Sequence, residues 1–321
     1  MRTTRAYQWC SALLLCVTAC GRSSLPDLAA PDDTPPAPET PEVLATGTFP
    51  FAITADDTAV YWHDFDNGSV HAIPLSGAPA QTLLPSRGTQ TPVYGLAVAD
   101  DGVYQCDSQR GLIQRIPLAG GDPATIATNP CMTLAVDGAH LYWSNAASLT
   151  APVISKWQLG SSANPEGLGT PGTGSGIITV RDGWVYFTDW LPGTVSRIAT
   201  TGGEPELIAT TEAAGPWGVI ADDSFVYVAD NHADHGGIIR IPLAGGPAEP
   251  LATGQLGAHA IAIDDGNLYW TNTTGGTVMK LAPGAGSVAI ASDQDRPMNL
   301  VVTRIAVYWT NRGGTVAWVA K

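Results

Sequence analysis

Apolar residues recur in short runs separated by tight polar turns, and no stretch sustains an apolar period of 3.6 residues. The pattern predicts many short strands and few helices. Runs such as GLAVAD (95–100), TLAVDG (133–138) and AIAIDD (260–265) lead into acidic turns such as Asp100-Asp101-Gly102, Asp182-Gly183 and Asp264-Asp265-Gly266. Asp-Gly favours a tight hairpin because both residues can adopt positive φ. A second strand with an aromatic pair follows each turn. A polar loop ending in Gly-Thr-Val or its equivalent (193–195, 276–278, 313–316) then opens a third strand, which commonly closes on Ile-Pro-Leu-Ala-Gly-Gly (116–121, 241–246). Proline there suits a strand end. PELIAT (205–210) and EPLATG (249–254) read as a fourth, outer strand.

This four-strand unit repeats. Aligned on the aromatic pair, the chain reads YWHD at 61, YQCD at 104, YWSN at 142, YFTD at 186, YVAD at 227, and YWTN at 269 and 308. Successive tetrads stand 38 to 44 residues apart, the length of one propeller blade. The seventh unit reaches Lys321 with three strands, while PEVLATG (41–47) ahead of the first unit matches the outer strands elsewhere. The expectation is an all-β, seven-bladed β-propeller over residues 41–321, with four-stranded blades and the last blade closed by the N-terminal strand. Such closure removes the open edge that invites aggregation.

The first 40 residues follow other rules. Arg2 and Arg5 precede a short apolar stretch around Leu13, Leu14 and Leu15, too short to span a bilayer. Val17-Thr18-Ala19-Cys20 resembles the bacterial lipobox, which implies a lipoprotein signal peptide over 1–19 and lipidation at Cys20. Residues 20–40 are Pro-rich and acidic, with little to bury, and read as a tether. The expected location is the cell envelope, at the outer membrane or cell surface, with membrane contact through the lipid anchor only. Cys10 and Cys16 leave with the signal. Cys106 and Cys131 then fall on the same face of neighbouring blades and are expected to form a disulfide. A formal net charge of −14 argues against nucleic acid as a partner.

YWTN at 269–272 and 308–311, each followed by Gly-Gly-Thr-Val, resembles the YWTD repeats of low-density-lipoprotein-receptor propellers. The opening strands and loops are similar to NHL and SMP-30/gluconolactonase-like propellers. The resemblance spans nearly all of 41–321 and implies architecture, not activity. YWTD domains usually have six blades, so the seventh is a departure.

Propeller ligands usually sit over the central channel. The face concerned is built by the residues leading into each innermost strand and by the loops after each second strand. The lead-in residues are Phe51, Tyr94, Met132, Ser175, Trp217, His259 and Met298. Each second strand ends in Asp64, Asp107, Asn145, Asp189, Asp230, Asn272 or Asn311. That column could ring a Ca²⁺ or Mg²⁺ ion, but its recurrence in every blade favours loop capping. The aromatic pair is expected to be core, with one member turned inward between sheets.

Among histidines, His259 stands nearest the channel and is the one catalytic candidate. His63 ends a second strand. His232 and His235 lie with Asp230 and Asp234 in the polar loop DNHADHGG (230–237), where i, i+3 spacing could hold zinc weakly, although such a loop is first a solvated one. The resemblance to SMP-30-like lactonases and to seven-bladed streptogramin lyases implies a metal held by carboxylates, amides or His and Glu. The chain has only seven glutamates, 39, 42, 166, 204, 206, 212 and 249, and none is a lead-in residue. The reading is therefore a non-catalytic binding or scaffold module. It would hold a sugar, peptide or protein through Phe51, Tyr94, Met132, Trp217, His259 and Met298, without a cofactor. The alternative is a lyase or lactonase assisted by Ca²⁺ or Mg²⁺ and acting through His259.

Overall fold

The computed structural model describes residues 39–88, 92–129, 131–145, 152–171, 176–190, 192–211, 215–232 and 236–321. Cys20, Ser175, Asp234 and His235 lie outside them, as do the signal segment and nearly all of the tether. Every regular element described is a strand. The strands form seven four-stranded antiparallel sheets, a seven-bladed propeller. Blade 1 runs outward through Pro50–Ala55, Ala59–Asp64, Val70–Pro74 and Gln81–Leu84. Blade 7 contains Pro297–Val302, Ala306–Asn311 and Thr315–Ala320, and takes its outer strand, Glu42–Thr46, from the start of the propeller. Glu42 stands opposite Trp318 and Thr46 opposite Thr315, so the two ends of the propeller are laced by antiparallel pairing. Innermost strands of successive blades touch all the way round, from blade 7 back to blade 1.

The core is divided into seven apolar clusters, one at each seam between blades. The aromatic tetrad explains this. Tyr269 packs forward against blade 7, while Trp270 packs back against blade 5. Tyr308 and Trp309 divide in the same way, as do Tyr61 and Trp62. The expectation that one member of the pair turns inward is corrected, because both are buried. In a ring each sheet has a neighbour on both faces, so alternation carries the two side chains into two different seams. A buried Trp withdraws ~150–250 Å² from water, worth about 4–6 kcal/mol at ~25 cal/mol per Å².

The turns also serve the aromatics. Asp182 and Gly183, like Asp265 and Gly266, have positive φ, as the Asp-Gly signal predicts. In blade 1, Asp56 Oδ1 accepts from the N–H groups of Thr58 (2.7 Å) and Ala59 (2.8 Å), and Oδ2 accepts from the Tyr61 hydroxyl at 2.8 Å. Tyr227 donates likewise to Asp222. Burial, and then the bond to Asp56, push the Tyr61 hydroxyl up to about 12.

In four blades a hydroxyl at the third tetrad position ties the blade to the next. Thr188 Oγ1 donates to the Trp217 carbonyl (2.9 Å), Thr271 to that of Met298 (2.6 Å), and Thr310 to that of Phe51 (2.8 Å). Ser144 donates to Gly176 at 2.9 Å. In blade 2 this position is Cys106, whose sulfur is joined to Cys131 with Cα atoms 5.8 Å apart, so a covalent link replaces the hydrogen bond. Blade 1 has His63 in this place and blade 5 has Ala229.

Candidate functional site

The channel opens on the face where innermost strands begin. There the pairing slips between Pro50 and Ile53, Val93 and Leu96, Pro216 and Gly218, Ala258 and Ile261, and Pro297 and Leu300. A bulge re-aims the side chains within it. Phe51, Tyr94, Trp217, His259 and Met298 lie inside these slips, so five separate strands present their lead-in side chains at one rim.

Approach is close at this rim. A Cβ on Gly218 would lie 2.5 Å from the His259 carbonyl oxygen, so only glycine fits between the innermost strands of blades 5 and 6. The channel below the rim has a volume of about 220 Å³. Tyr94, Leu134, Ile178, Trp217, His259 and Leu300 contribute to its wall, which contains no carboxylate among the described residues.

The rings form a continuous arc. Trp190 and Trp217 meet edge to face with centroids 6.4 Å apart, and Trp217 lies 5.1 Å from the imidazole of His259. His259 meets Phe51 at 6.4 Å, and Phe51 meets Tyr94 at 5.6 Å. Phe49 and Phe65 flank Phe51, each at 5.8 Å, and the Arg312 guanidinium lies 5.3 Å over the Phe49 ring. These spacings fall in the range of favourable aromatic pairs. Phe51 is only 6% exposed, and Met298 packs on the cluster between blades 1 and 2. Tyr94, Met132 and Trp217 are half-buried, and Trp190 is 49% exposed. Met132, Trp190, Pro216 and Trp217 also frame a small apolar dimple beside the channel.

His259 is 5% exposed. Its Nδ1 donates to the Met298 carbonyl at 3.2 Å, since a carbonyl can only accept. That bond fixes the tautomer and leaves Nε2 with its lone pair. Burial lowers its pKa to about 4, with the Met298 bond opposing, so the ring is neutral at pH 7.

Asp64, Asp107, Asp230, Asn272 and Asn311 of the Asp and Asn column each bond within their own loops. Asp64 accepts from Thr48 N–H (2.7 Å), Thr48 Oγ1 (2.5 Å) and Phe49 N–H (3.1 Å). Asn272 donates to Gln255 Oε1 and Thr277 Oγ1, and Asn311 to Gln294 Oε1 and Thr315 Oγ1. Asp107 accepts from Arg110 N–H at 3.0 Å, and Asp230 from His232 N–H at 3.2 Å. Among the described residues no group of three or more His, Cys, Asp or Glu side chains is placed to hold a metal.

His63 is buried in the seam between blades 1 and 2. A serine–imidazole pair occurs in blade 1, with Ser69 Oγ and His71 Nε2 2.7 Å apart. Ser69 is only 3% exposed and the other ring nitrogen faces Thr82, so no nucleophile is presented. Reading the lead-in residues alone misses Phe49, Phe65, Trp190 and Arg312. Three of these carry a positional signal, because they directly follow the tetrads at Asp64, Asp189 and Asn311.

No protein-family model matches the chain, and no curated protein matches it by sequence. Among solved structures it is similar to virginiamycin B lyase from Staphylococcus aureus, with 17% identity, 88% of this chain and 99% of that one covered, and a TM-score of 0.74. A catalytically inactive histidine-to-alanine form of that lyase with quinupristin gives 18%, 88%, 99% and 0.73. A chain of the nidogen–laminin complex gives 21% identity, 70% and 89% coverage, and a TM-score of 0.52. These neighbours are β-propellers, and the likeness is one of fold.

Proposed function

We propose that this chain is an exported lipoprotein, anchored through Cys20, whose propeller is a non-catalytic module that binds a peptide or protein segment over the channel mouth. The observation that carries the reading is the arc Trp190, Trp217, His259, Phe51 and Tyr94, in which Trp190, Trp217 and Tyr94 expose aromatic surface beside an imidazole fixed as a hydrogen-bond acceptor. Aromatic and aliphatic side chains suit such a rim. A hydroxyl-rich sugar would need accessible polar partners, and Asp64 and the side-chain N–H groups of Asn272 and Asn311 spend theirs on their own loops, while the Oδ1 atoms of both asparagines are buried.

Topology supports a mouth set apart from the tether. Gly47, just past the outer strand of blade 7, bonds Gly314 on the mouth side, while Glu42 and Lys321 lie at the hairpin face opposite, where Lys321 pairs with Asp264. A tether from Cys20 would therefore join the propeller at the face opposite the mouth.

Panning a phage-displayed peptide library on the immobilised protein tests the reading. Enriched sequences should be rich in aromatic residues and should fail to bind the Trp217→Ala variant. No enrichment, or binding indifferent to that substitution, would contradict it. The lyase reading draws on the likeness to virginiamycin B lyase and on the neutral His259. Chromatography of quinupristin after incubation with the protein separates the two, since conversion abolished by His259→Ala would establish catalysis.

A further inference from the structure

The seam between blades 1 and 2 differs from the others. Blades 1, 3, 6 and 7 carry a tryptophan at the second tetrad position, whereas blade 2 carries Gln105. Gln105 is buried and donates through Nε2 to Gln114 Oε1 at 3.1 Å, which also accepts from Arg87 at 3.3 Å. Arg87 and Arg110 stand 3.7 and 3.8 Å from Asp107 Oδ2, too far for hydrogen bonds. His63 projects from blade 1 into the same seam and is 0% exposed.

Five buried polar atoms collect here without a hydrogen-bond partner in the protein: both ring nitrogens of His63, Gln105 Oε1, Arg87 Nη1 and Asp107 Oδ2. Leaving so many bare would forfeit much of a domain's net stability. The set is balanced. Arg87 and one His63 nitrogen donate, while the other His63 nitrogen, Gln105 and Asp107 accept. An anion would meet the Asp107 carboxylate, and a cation would meet Arg87. A molecule that both donates and accepts satisfies all five, and buried water typically makes about three such bonds.

We propose that this seam is a binding site for a small cluster of ordered water held by these five atoms. The water also carries a link that four other blades make directly through a hydroxyl. Thr310 bonds the carbonyl that leads into the next blade, and the equivalent carbonyl beyond His63 is that of Tyr94. The hydrated seam thus positions Tyr94, a member of the aromatic arc.

A crystal structure of the protein at a resolution that shows ordered solvent tests the proposal. Water peaks within hydrogen-bond distance of His63, Gln105 and Asp107 are expected. Side chains bonded directly to one another, or a single halide-like peak beside Arg87, would overturn it. In His63→Thr, the water peak beside the substituted side chain should vanish, and the introduced hydroxyl should bond the Tyr94 carbonyl. If that variant does not fold, the wild-type density still decides.

Discussion

His63 and Thr310 hold the same place in their blades, yet one is an imidazole with no hydrogen-bond partner in the protein and the other a hydroxyl bonded to the next strand. Burial lowers the His63 pKa to about 3, with Asp64 opposing and His71 and Arg87 assisting. A histidine whose folded pKa lies below its unfolded value of ~6.5 binds its proton preferentially in the unfolded chain. Its contribution to stability is whole above about pH 6.5 and is lost progressively as the pH falls toward 3. His259, lowered to about 4, acts in the same direction. Thermal midpoints measured from pH 7.5 to pH 4 should therefore fall, and His63→Thr should fall less steeply. An unchanged slope in that variant would contradict the assignment. The tetrad letters made the repeat legible at this scale. Trp190 and Phe49 were less so, because their role depends on where a loop carries them.

At the level of elements, strands were legible from the alternation and turns from Asp-Gly, but the bulges were not. A one-residue slip leaves no mark on apolar spacing, yet it aims Trp217 and His259 at the channel. The second strands misled in a related way. Two covered faces make them read as nearly continuous apolar runs, so Tyr269 and Trp270 go to different seams instead of one going to solvent. Gly218 tests the close packing of innermost strands. Gly218→Ala would put a methyl 2.5 Å from the His259 carbonyl oxygen. It should lower the thermal midpoint by several degrees, at about 2–4 °C per kcal/mol for domains of this order of size. It should also weaken peptide binding, because His259 must move. A variant as stable as wild type would show more space at the rim than the fold describes.

For the whole molecule, closure is legible in the sequence, because PEVLATG repeats the outer-strand pattern seen at PELIAT and EPLATG. Glu42–Thr46 covers the edge of Thr315–Ala320 that would otherwise template aggregation. A chain beginning at residue 39 should elute as a folded monomer in size-exclusion chromatography, whereas one beginning at residue 48 should aggregate. Equal behaviour would mean that the outer strand is dispensable. The ligand was not legible, since the mouth is assembled from separate blades and each contributes one or two residues. His259 and Trp217 stand 42 residues apart in the chain and 5.1 Å apart by ring centroid. Only their meeting in space makes a surface. The most direct measurement is isothermal titration of the tightest peptide from panning against wild type and Trp217→Ala. Loss of a central aromatic anchor costs ~2 kcal/mol or more, so the variant should bind about 30-fold more weakly. Equal affinity for the two proteins would place the binding surface away from the channel mouth and contradict the account.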